Sequence, residues 1–258
     1  MANTAFIGRG WLLYTGTLPG AAPHRHHALQ VVLARRGLLE IGDQSGLTAS
    51  GAGAVIPGNT WHSTPSPLAS ATLLYLDCQT PAGRQLGQRM GAAASDWVIA
   101  GQALEPLRCT PPPRDAAEAS TIAQTIVRQI SSLDEVKPPA APGAARIDAL
   151  LRRLADSLAK PDGLPTARQL AAQSGMSPRH LSRLFNRGVG LSMPAYIRWL
   201  RLRRVAEALA EGATLTQAAH AAGFSDSAHL SRAFRASFGM APSRIMRDTV
   251  LYSCDLPL

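Results

Sequence analysis

Three polar side chains near the N-terminus have the types and spacing of a metal or ligand site. The segment GAAPHRHHALQVVLARRG, residues 20–37, places His24, His26 and Gln30 at even-numbered positions. Because alternate side chains of a β-strand share one face, we expect these three to point the same way. Imidazole nitrogens and an amide oxygen are ligands for divalent Zn, Ni, Cu or Fe. The spacing therefore predicts a polar, metal-competent cluster on one strand.

Short aliphatic stretches in residues 1–80 must position this cluster. They are separated by Gly, Pro and Ser, which is typical of strands joined by tight turns. The stretches are residues 29–33, 38–41, 54–56 and 72–76. We therefore predict a β-barrel or sandwich over residues 1–80.

The polar residues also fit two characteristic patterns of the cupin family. The first pattern is met by His26, Gln30 and Gly37, and the second by Gly51, Pro57 and His62. Residues 1–80 thus resemble a cupin barrel, although metal cupins usually carry Glu where this chain has Gln30. The resemblance implies one divalent metal held in the barrel mouth by His24, His26, Gln30 and His62. Two alternatives are that these residues line a pocket for a small organic effector or hydrogen-bond one another.

A helical region and a linker follow the barrel. Helical periodicity begins at residue 82 and returns over residues 115–133, where Ile122, Ile126 and Ile130 are spaced by four. We predict that residues 81–136 connect the domains or pair two subunits. The proline-rich stretch KPPAAPG predicts a linker over residues 137–145.

The positive charge is concentrated in the C-terminal part. Residues 1–145 contain 10 basic and 9 acidic side chains, whereas residues 146–258 contain 16 and 8. Concentrated positive charge favours a polyanionic partner, because binding releases the counterions that DNA condenses. Nucleic acid is therefore the leading predicted partner.

The C-terminal part contains an internal repeat. Residues 175–185 read GMSPRHLSRLF and residues 223–234 read GFSDSAHLSRAF, so His180 recurs as His229 at an offset of 49 residues. In each copy an alanine-rich helix ends at a glycine, Gly175 or Gly223, that can adopt a left-handed conformation. Ser177 and Ser225 are the predicted N-caps of the following helices.

The second helix of each copy has one apolar and one polar face. The apolar faces predict core positions for Leu181, Leu184 and Phe185 in the first copy and for Leu230, Ala233 and Phe234 in the second. The polar faces carry donors and small groups suited to base edges and phosphates in a major groove. The predicted DNA-binding residues are Arg179, Ser182, Arg183, Asn186, Ser227, Ala228, His229, Ser231, Arg232 and Arg235.

Residues 146–250 resemble the DNA-binding domain of the AraC/XylS family of bacterial transcription regulators. The resemblance rests on LAAQSGMSPRHLSRLF, the connecting YIRWLRLRRVAEAL and the terminal FGMAPSRIMR. It implies that the two recognition helices enter successive major grooves, separated by a helix predicted over residues 196–210. Residues 251–258 are predicted to be a C-terminal tail.

Composition excludes several classes of protein. With 258 residues, 46% of them hydrophobic and 17% charged, the chain can bury a core and is not disordered throughout. The three cysteines show neither a disulfide framework nor zinc-ribbon spacing. No signal-peptide core and no run of 18 apolar residues occur, so we expect a soluble, cytoplasmic protein without a membrane partner.

The fold class predicted from these observations is α+β, with a cupin-like barrel, helices and an all-α domain with two helix-turn-helix motifs. The predicted function is transcription regulation through promoter DNA, with a metal or small-molecule effector, a homodimer and RNA polymerase as partners and no catalytic residues. One alternative is a metal-dependent cupin oxygenase or isomerase fused to a DNA-binding domain. Another is an architectural nucleic-acid protein without an effector.

Overall fold

A computed structural model describes residues 3–87, 89–132, 144–158, 167–246, 248–254 and 256. The strands are β1 (Asn3–Gly8), β2 (Trp11–Leu18), β3 (Ala21–His24), β4 (Ala28–Ala34), β5 (Leu39–Asp43), β6 (Thr48–Gly51), β7 (Gly53–Ile56), β8 (His62–Thr64), β9 (Leu68–Asp77) and β10 (Thr249–Ser253). The helices are α1 (Pro81–Gly87), α2 (Ala94–Gly101), α3 (Ala116–Ser131), α4 (Ala144–Leu158), α5 (Ala167–Gln173), α6 (Pro178–Val189), α7 (Met193–Ala210), α8 (Leu215–Ala221), α9 (Ser227–Phe238) and α10 (Ser243–Met246), with a 3₁₀ helix at Gln102–Leu107.

The chain divides into two compact units. The first consists of Met1–Lys137 together with Phe234–Leu258, and the second of Pro138–Ala233. This division differs from the predicted boundaries at the C-terminal end, because the segment from Phe234 onward belongs to the first unit. The predicted linker cannot be compared, since its residues 137–143 lie outside the described residues.

The first unit contains two sheets. Six strands are ordered β10-β1-β2-β9-β4-β7, and four are ordered β3-β8-β5-β6. Val32, Leu73 and Ile41 share one core that joins the two sheets. Leu29, Leu33 and Leu74 face a second core with Ile126 of α3. The larger sheet therefore has one face toward the other sheet and one face covered by helices.

Strand β4 is buried along its whole length because both of its faces are covered. All seven of its residues are buried, so the strand lacks the alternation of a half-exposed strand. Odd positions such as Leu29 and Leu33 face the helices, whereas Val32 lies in the core between the sheets. Gln30 has the same parity as Val32 and is 3% exposed, which places it at the inner face.

The prediction of one strand through residues 24–30 is wrong. His24 ends β3 in the smaller sheet, and Ala28 begins β4 in the larger sheet, so residues 25–27 cross between the sheets. The two sheets need this crossover to close around a common core. His24 and Gln30 therefore approach each other across the interior and not along one strand.

The predicted C-terminal tail is also corrected, because residues 249–253 form a strand. β10 pairs in parallel with β1, with Asn3 opposite Thr249 and Ile7 opposite Ser253. The Cys254 N–H donates to the Ile7 carbonyl oxygen at 2.8 Å, and Cys254 is buried in the core that α3 shares with the larger sheet. The main-chain groups of the β1 edge are thus satisfied by the C-terminal segment.

The second unit is helical and contains the first copy of the repeat and the second copy as far as Ala233. In the first copy α5 and α6 pack on α4 through Leu170, Leu181 and Phe185. Ile147, Leu150, Leu151 and Leu154 of α4 are buried, with the spacing of one helix face. Gly175 and Gly223 have φ values of +63° and +80°, which confirms the predicted left-handed turns.

The predicted α+β class is confirmed by these two units. The connecting helix α7 begins at Met193, three residues before the predicted start, because Pro194 is acceptable in a first helical turn. Within the part of the chain that the structure describes, no helix has both the length and the apolar character needed to cross a membrane.

Candidate functional site

A buried cluster of three histidines and one glutamine lies between the two sheets of the first unit. His24 on β3 and His62 on β8 are cross-strand partners in the smaller sheet. Gln30 comes from β4, and His26 from the crossover that precedes it. The structure thus brings together the four side chains that the sequence singled out, although they come from three strands and one connection.

The cluster is compact and shielded from solvent. The ring centroids of His24 and His62 are 4.2 Å apart, and His26 lies 5.1 Å from His62 and 5.6 Å from His24. One nitrogen of each ring lies within 4.8 Å of those of the other two. Since none of the three residues is more than 5% exposed, an ion among them would be largely dehydrated.

A backbone carbonyl fixes the tautomer of each histidine. The Nδ1 atoms lie 2.8 Å from the Ala22 oxygen for His24, 3.0 Å from the Ala28 oxygen for His26 and 2.9 Å from the Thr60 oxygen for His62. A carbonyl oxygen can only accept, so each Nδ1 carries the proton and each Nε2 keeps its lone pair. This hydrogen-bond arrangement is common around metal-bound histidines, because it orients the ring and raises its basicity.

The Gln30 side chain faces two of these Nε2 atoms. Its Oε1 lies 2.7 Å from His26 Nε2 and 3.2 Å from His62 Nε2. Three acceptors in contact require either a cation among them or a rotated amide whose NH₂ group donates to both imidazoles. The donor set therefore fits a divalent metal and also fits a metal-free hydrogen-bonded network.

Burial keeps the three histidines neutral near pH 7. Desolvation lowers the pKa of His24, and desolvation together with the neighbouring imidazoles lowers the pKa of His62 well below its usual range. For His26 the same two effects outweigh its hydrogen bonds and lower the pKa to about 3. A neutral imidazole is the form that ligates a metal.

Acid is expected to destabilise the metal-free first unit through His26. Its pKa is about 3 in the folded chain and about 6.5 when unfolded, so between these values only the unfolded chain binds the proton. As the pH falls below 6.5, the free energy of unfolding therefore decreases by about 1.4 kcal/mol per pH unit. Urea unfolding with a chelator at about pH 7.5 and 5 should show a loss that is about 2 kcal/mol smaller in His26→Gln than in wild type.

The exposed His220→Gln variant is the control and should retain the wild-type pH dependence. Equal acid sensitivity of His26→Gln and wild type would contradict the buried neutral state of His26.

Sequence reasoning missed two aromatic neighbours of the cluster. Tyr75 lies opposite Gln30 in the β4–β9 register, and its ring packs at 5.0 Å against His26. The Phe238 ring lies 5.6 Å from His26 and 5.8 Å from Tyr75. The alternation of side chains along β9 could have indicated that Tyr75 faces the cluster. No local pattern links Phe238 to a histidine more than two hundred positions earlier.

The second candidate site is the polar face of the paired recognition helices. In α6 the predicted contact residues Arg179, Ser182, Arg183 and Asn186 are all exposed, while Leu181 and Phe185 are buried. In α9 the exposed members are Ser227, Ala228, Arg232 and Arg235, and Ser231 is partly exposed. The polar and the apolar residues therefore lie on opposite faces, as in an amphipathic helix.

The arginines of these faces are available for a polyanion. Among the described residues, Arg179, Arg183, Arg232 and Arg235 have no carboxylate within the 4.0 Å that defines an ion pair. On α7, in contrast, Arg204 lies 3.7 Å from Glu207 and 4.0 Å from Glu211. Guanidinium groups without an acidic partner can bind phosphates or guanine edges bidentately.

His180 and His229 have different surroundings despite their equivalent positions. His180 is exposed, whereas His229 is half-buried, with its ring at 5.2 Å from Phe224 and its Nδ1 at 3.2 Å from Ser225 Oγ. His229 thus packs against the turn that precedes its helix. A direct base contact by His229 remains a prediction.

The second recognition helix is capped by Asp226 and not by Ser225 as predicted. The His229 N–H donates to Asp226 Oδ1 at 2.6 Å, in the same way that the His180 N–H donates to Ser177 Oγ at 3.2 Å. The second copy has one more residue between the turn glycine and the helix, so Asp226 is the equivalent of Ser177. Hydrogen bonds from the His229 N–H and the Ser225 hydroxyl lower the Asp226 pKa.

Replacing Asp226 with alanine should destabilise the second helix-turn-helix motif. Loss of an N-cap costs about 1 kcal/mol, within a range of about 0.5–2 kcal/mol. Urea unfolding followed by circular dichroism should show a lower midpoint for Asp226→Ala and a smaller change for Ser225→Ala. A larger effect of Ser225→Ala would contradict this assignment of the cap.

Comparison with known proteins places the paired motif in a family. A helix-turn-helix domain model matches residues 170–248, which include both copies of the repeat. The chain is 37% identical over 79 residues to the HTH-type transcriptional regulator GlxA of Rhizobium meliloti, covering 30% of this chain and 24% of that protein. It is 40% identical over 75 residues to the bifunctional transcriptional activator/DNA repair enzyme Ada of Escherichia coli, covering 29% and 21%.

Residues 170–248 therefore contain a helix-turn-helix domain and are similar to a segment of known transcription regulators. The chain spans about a quarter of the length of the curated relatives that it matches, since the matches cover 24% and 21% of those proteins.

The likeness of this chain to solved structures extends beyond the helix-turn-helix domain. ToxT of Vibrio cholerae aligns with a TM-score of 0.53 and 9% identity, covering 91% of this chain and 96% of that chain. A second structure, of unsaturated fatty acid bound wild-type ToxT, aligns with a TM-score of 0.57 and 10% identity, covering 96% and 97%. At these identities the likeness shows a shared fold.

Proposed function

We propose that this chain regulates transcription by binding a specific promoter sequence through both recognition helices, under the control of a ligand in the histidine cluster. The observation that carries the DNA-binding part is the pair of exposed arginine-bearing faces, on α6 and α9, backed by two separately packed apolar faces. Homodimer formation and contact with RNA polymerase belong to the same proposal.

The ligand is a divalent transition metal, Zn, Ni, Cu or Fe. Nε2 of His24, His26 and His62 would hold it, and the Gln30 amide oxygen would complete a set of four donors. Support comes from the three carbonyl-anchored Nδ1 atoms, which leave the lone pairs of three neutral imidazoles for an ion. When bound, such a metal supplies a fixed positive charge that holds the two sheets together at this point.

An organic effector is the second candidate for the ligand. Tyr75 and Phe238 give the cluster an aromatic side that a metal alone does not need. A ToxT structure contains an unsaturated fatty acid, so a protein of this fold can hold an organic molecule. For this chain the polar cluster favours an effector with a group that hydrogen-bonds to imidazole.

The enzyme alternative lacks a carboxylate at the cluster. Among the described residues, the metal-competent group consists of the three histidines alone. Asp43 is instead bonded to Ser45 and the Ala94 N–H, and Glu40 accepts a hydrogen bond from Ser66. Without a carboxylate beside it, the cluster offers a metal only neutral ligands, and this favours binding of an effector over the chemistry of a metal-dependent cupin enzyme.

Two measurements test the proposal. Elemental mass spectrometry of the untagged protein should give about one metal per chain, and selection from a random-sequence duplex library should give one preferred site. Binding to that site should then weaken or strengthen when a chelator is added. A metal-free protein with unchanged binding would favour the organic effector, and failure to select any sequence would contradict regulation through specific DNA.

A further inference from the structure

Phe238, the last residue of helix α9, and the following Gly239 contact the histidine cluster. The Phe238 ring lies 5.6 Å from His26, and the tilted ring of Phe234, one turn earlier, lies 4.5 Å from the Phe238 ring. The Gly239 carbonyl oxygen accepts a hydrogen bond from the Ala22 N–H at 3.2 Å. These contacts lie inside the first unit, to which Phe234–Leu258 belongs.

Ala22 joins Gly239 to a candidate ligand residue. Its N–H donates to Gly239, while its carbonyl oxygen accepts the Nδ1 proton of His24 at 2.8 Å. The position of Gly239 therefore influences the carbonyl that fixes the tautomer and the orientation of His24. A shift of Gly239 would act on the cluster without touching any Nε2 atom.

The approach at Gly239 is too close for any other residue. Gly239 has φ +68°, and a Cβ there would overlap the Ala22 carbonyl oxygen and lie 2.8 Å from His24 Nδ1. Gly212 has a similar backbone, with φ +92°, but a Cβ at that position would meet nothing within 4 Å. The two glycines thus separate the cost of a left-handed backbone from the loss of this contact.

Residues after Gly239 keep the segment in place. β10 pairs with β1 over five residues, and Trp11 Nε1 donates to the Leu256 carbonyl oxygen at 3.0 Å. In the other direction, Arg232 precedes Phe238 by six residues, about 9 Å along one continuous helix. A predicted DNA-binding side chain and a neighbour of the cluster therefore belong to the same helix.

We propose that Phe238 and Gly239 are positioning residues of the ligand site and couple its occupancy to the DNA-binding end of α9. The inference rests on the proposed function. DNA that pulls or rotates α9 would shift Phe238 from His26 and Gly239 from Ala22, and a metal that orders the histidines would favour one position of the helix. Because coupling between two binding equilibria is reciprocal, DNA and metal must change each other's affinity by the same factor.

Hydrogen exchange of the Ala22 amide tests the coupling directly. In wild type we expect addition of the selected DNA duplex to change the exchange of the peptide around residue 22, since its N–H is bonded to Gly239. Gly239→Ala should change this exchange without DNA, whereas Gly212→Ala should leave it as in wild type. Identical exchange of wild type with and without bound DNA would overturn the inference.

Zn²⁺ affinity provides a second readout. We expect DNA to change the Zn²⁺ dissociation constant of wild type by about 5- to 150-fold, the usual range of allosteric coupling. Phe238→Ala should bring this factor close to one while the variant still binds both Zn²⁺ and DNA. An unchanged factor in Phe238→Ala would also overturn the inference.

The outcomes distinguish the inference from the function on which it rests. If Zn²⁺ does not bind but DNA alters exchange at Ala22, metal sensing fails and the coupling stands. If no DNA binds, both fail. Urea unfolding of each variant verifies that it is folded, and Phe238→Leu, which keeps an apolar side chain, should lose less coupling than Phe238→Ala.

Discussion

Replacing both Arg183 and Arg232 with alanine is expected to abolish site-specific DNA binding. Each arginine is exposed on the polar face of one recognition helix and has no carboxylate within 4.0 Å among the described residues. An arginine that reads a base contributes about 1–3 kcal/mol, so each single variant should bind the selected duplex about 5- to 150-fold more weakly. If the two helices bind separate grooves, the losses should multiply in the double variant.

Fluorescence anisotropy with the selected and a scrambled duplex measures this effect. A base-reading arginine should lower affinity for the selected duplex only, whereas a phosphate-binding arginine should lower both and reduce the salt slope by about one. Arg114→Ala is the matched control, because it removes the same charge from an exposed arginine paired with Glu118 in the first unit. Unchanged affinity of both single variants would contradict the assignment of these faces to DNA.

Removing His26 is expected to eliminate stoichiometric metal binding. Its Nε2 lies nearest to Gln30 Oε1, at 2.7 Å, and its loss leaves two imidazoles and one neutral amide. Changes to residues that merely orient a ligand already cost about 10- to 100-fold in metal affinity, so loss of a ligand itself should cost more. Elemental mass spectrometry of His26→Gln should therefore give a metal content close to zero.

The neighbouring His27 provides a matched control. It is 1% exposed and directly precedes β4, but its Nδ1 faces Asn59 Oδ1 at 3.3 Å and its Nε2 faces Gln79 at 3.2 Å. His27→Gln thus removes a buried imidazole outside the cluster and should retain the metal. Equal metal content in His26→Gln and wild type would contradict the metal site. Gln30→Glu should raise affinity if a metal is bound, because a carboxylate is the stronger ligand.

Local sequence patterns were enough to predict most features of the helix-turn-helix motifs. Hydrophobic spacing identified α6 and its buried Leu181 and Phe185, because a helix repeats every 3.6 residues whatever surrounds it. The turn glycines Gly175 and Gly223 were predictable since few other residues adopt positive φ. Ser225 was the exception, because a one-residue difference between the copies moved the cap to Asp226.

The histidine cluster was predicted for a partly wrong reason. Parity along one strand indicated that His24, His26 and Gln30 share a face, but the chain changes sheets between residues 24 and 28. The residues still meet because the two sheets close around one core and His62 lies opposite His24 in the register. Residue types were enough to name the candidate ligands, whereas only packing could bring them together.

The sequence by itself determined the fold class, the two amphipathic helices of the repeat and the candidate residues for binding a metal or DNA. Each follows from side-chain type and short-range periodicity, which need no knowledge of distant neighbours. Only the tertiary structure decided that the C-terminal segment joins the first unit, with Thr249 opposite Asn3 and Phe238 beside His26. A strand edge accepts any backbone of suitable length, so the choice of partner depends on the shape of the whole unit and leaves no local pattern.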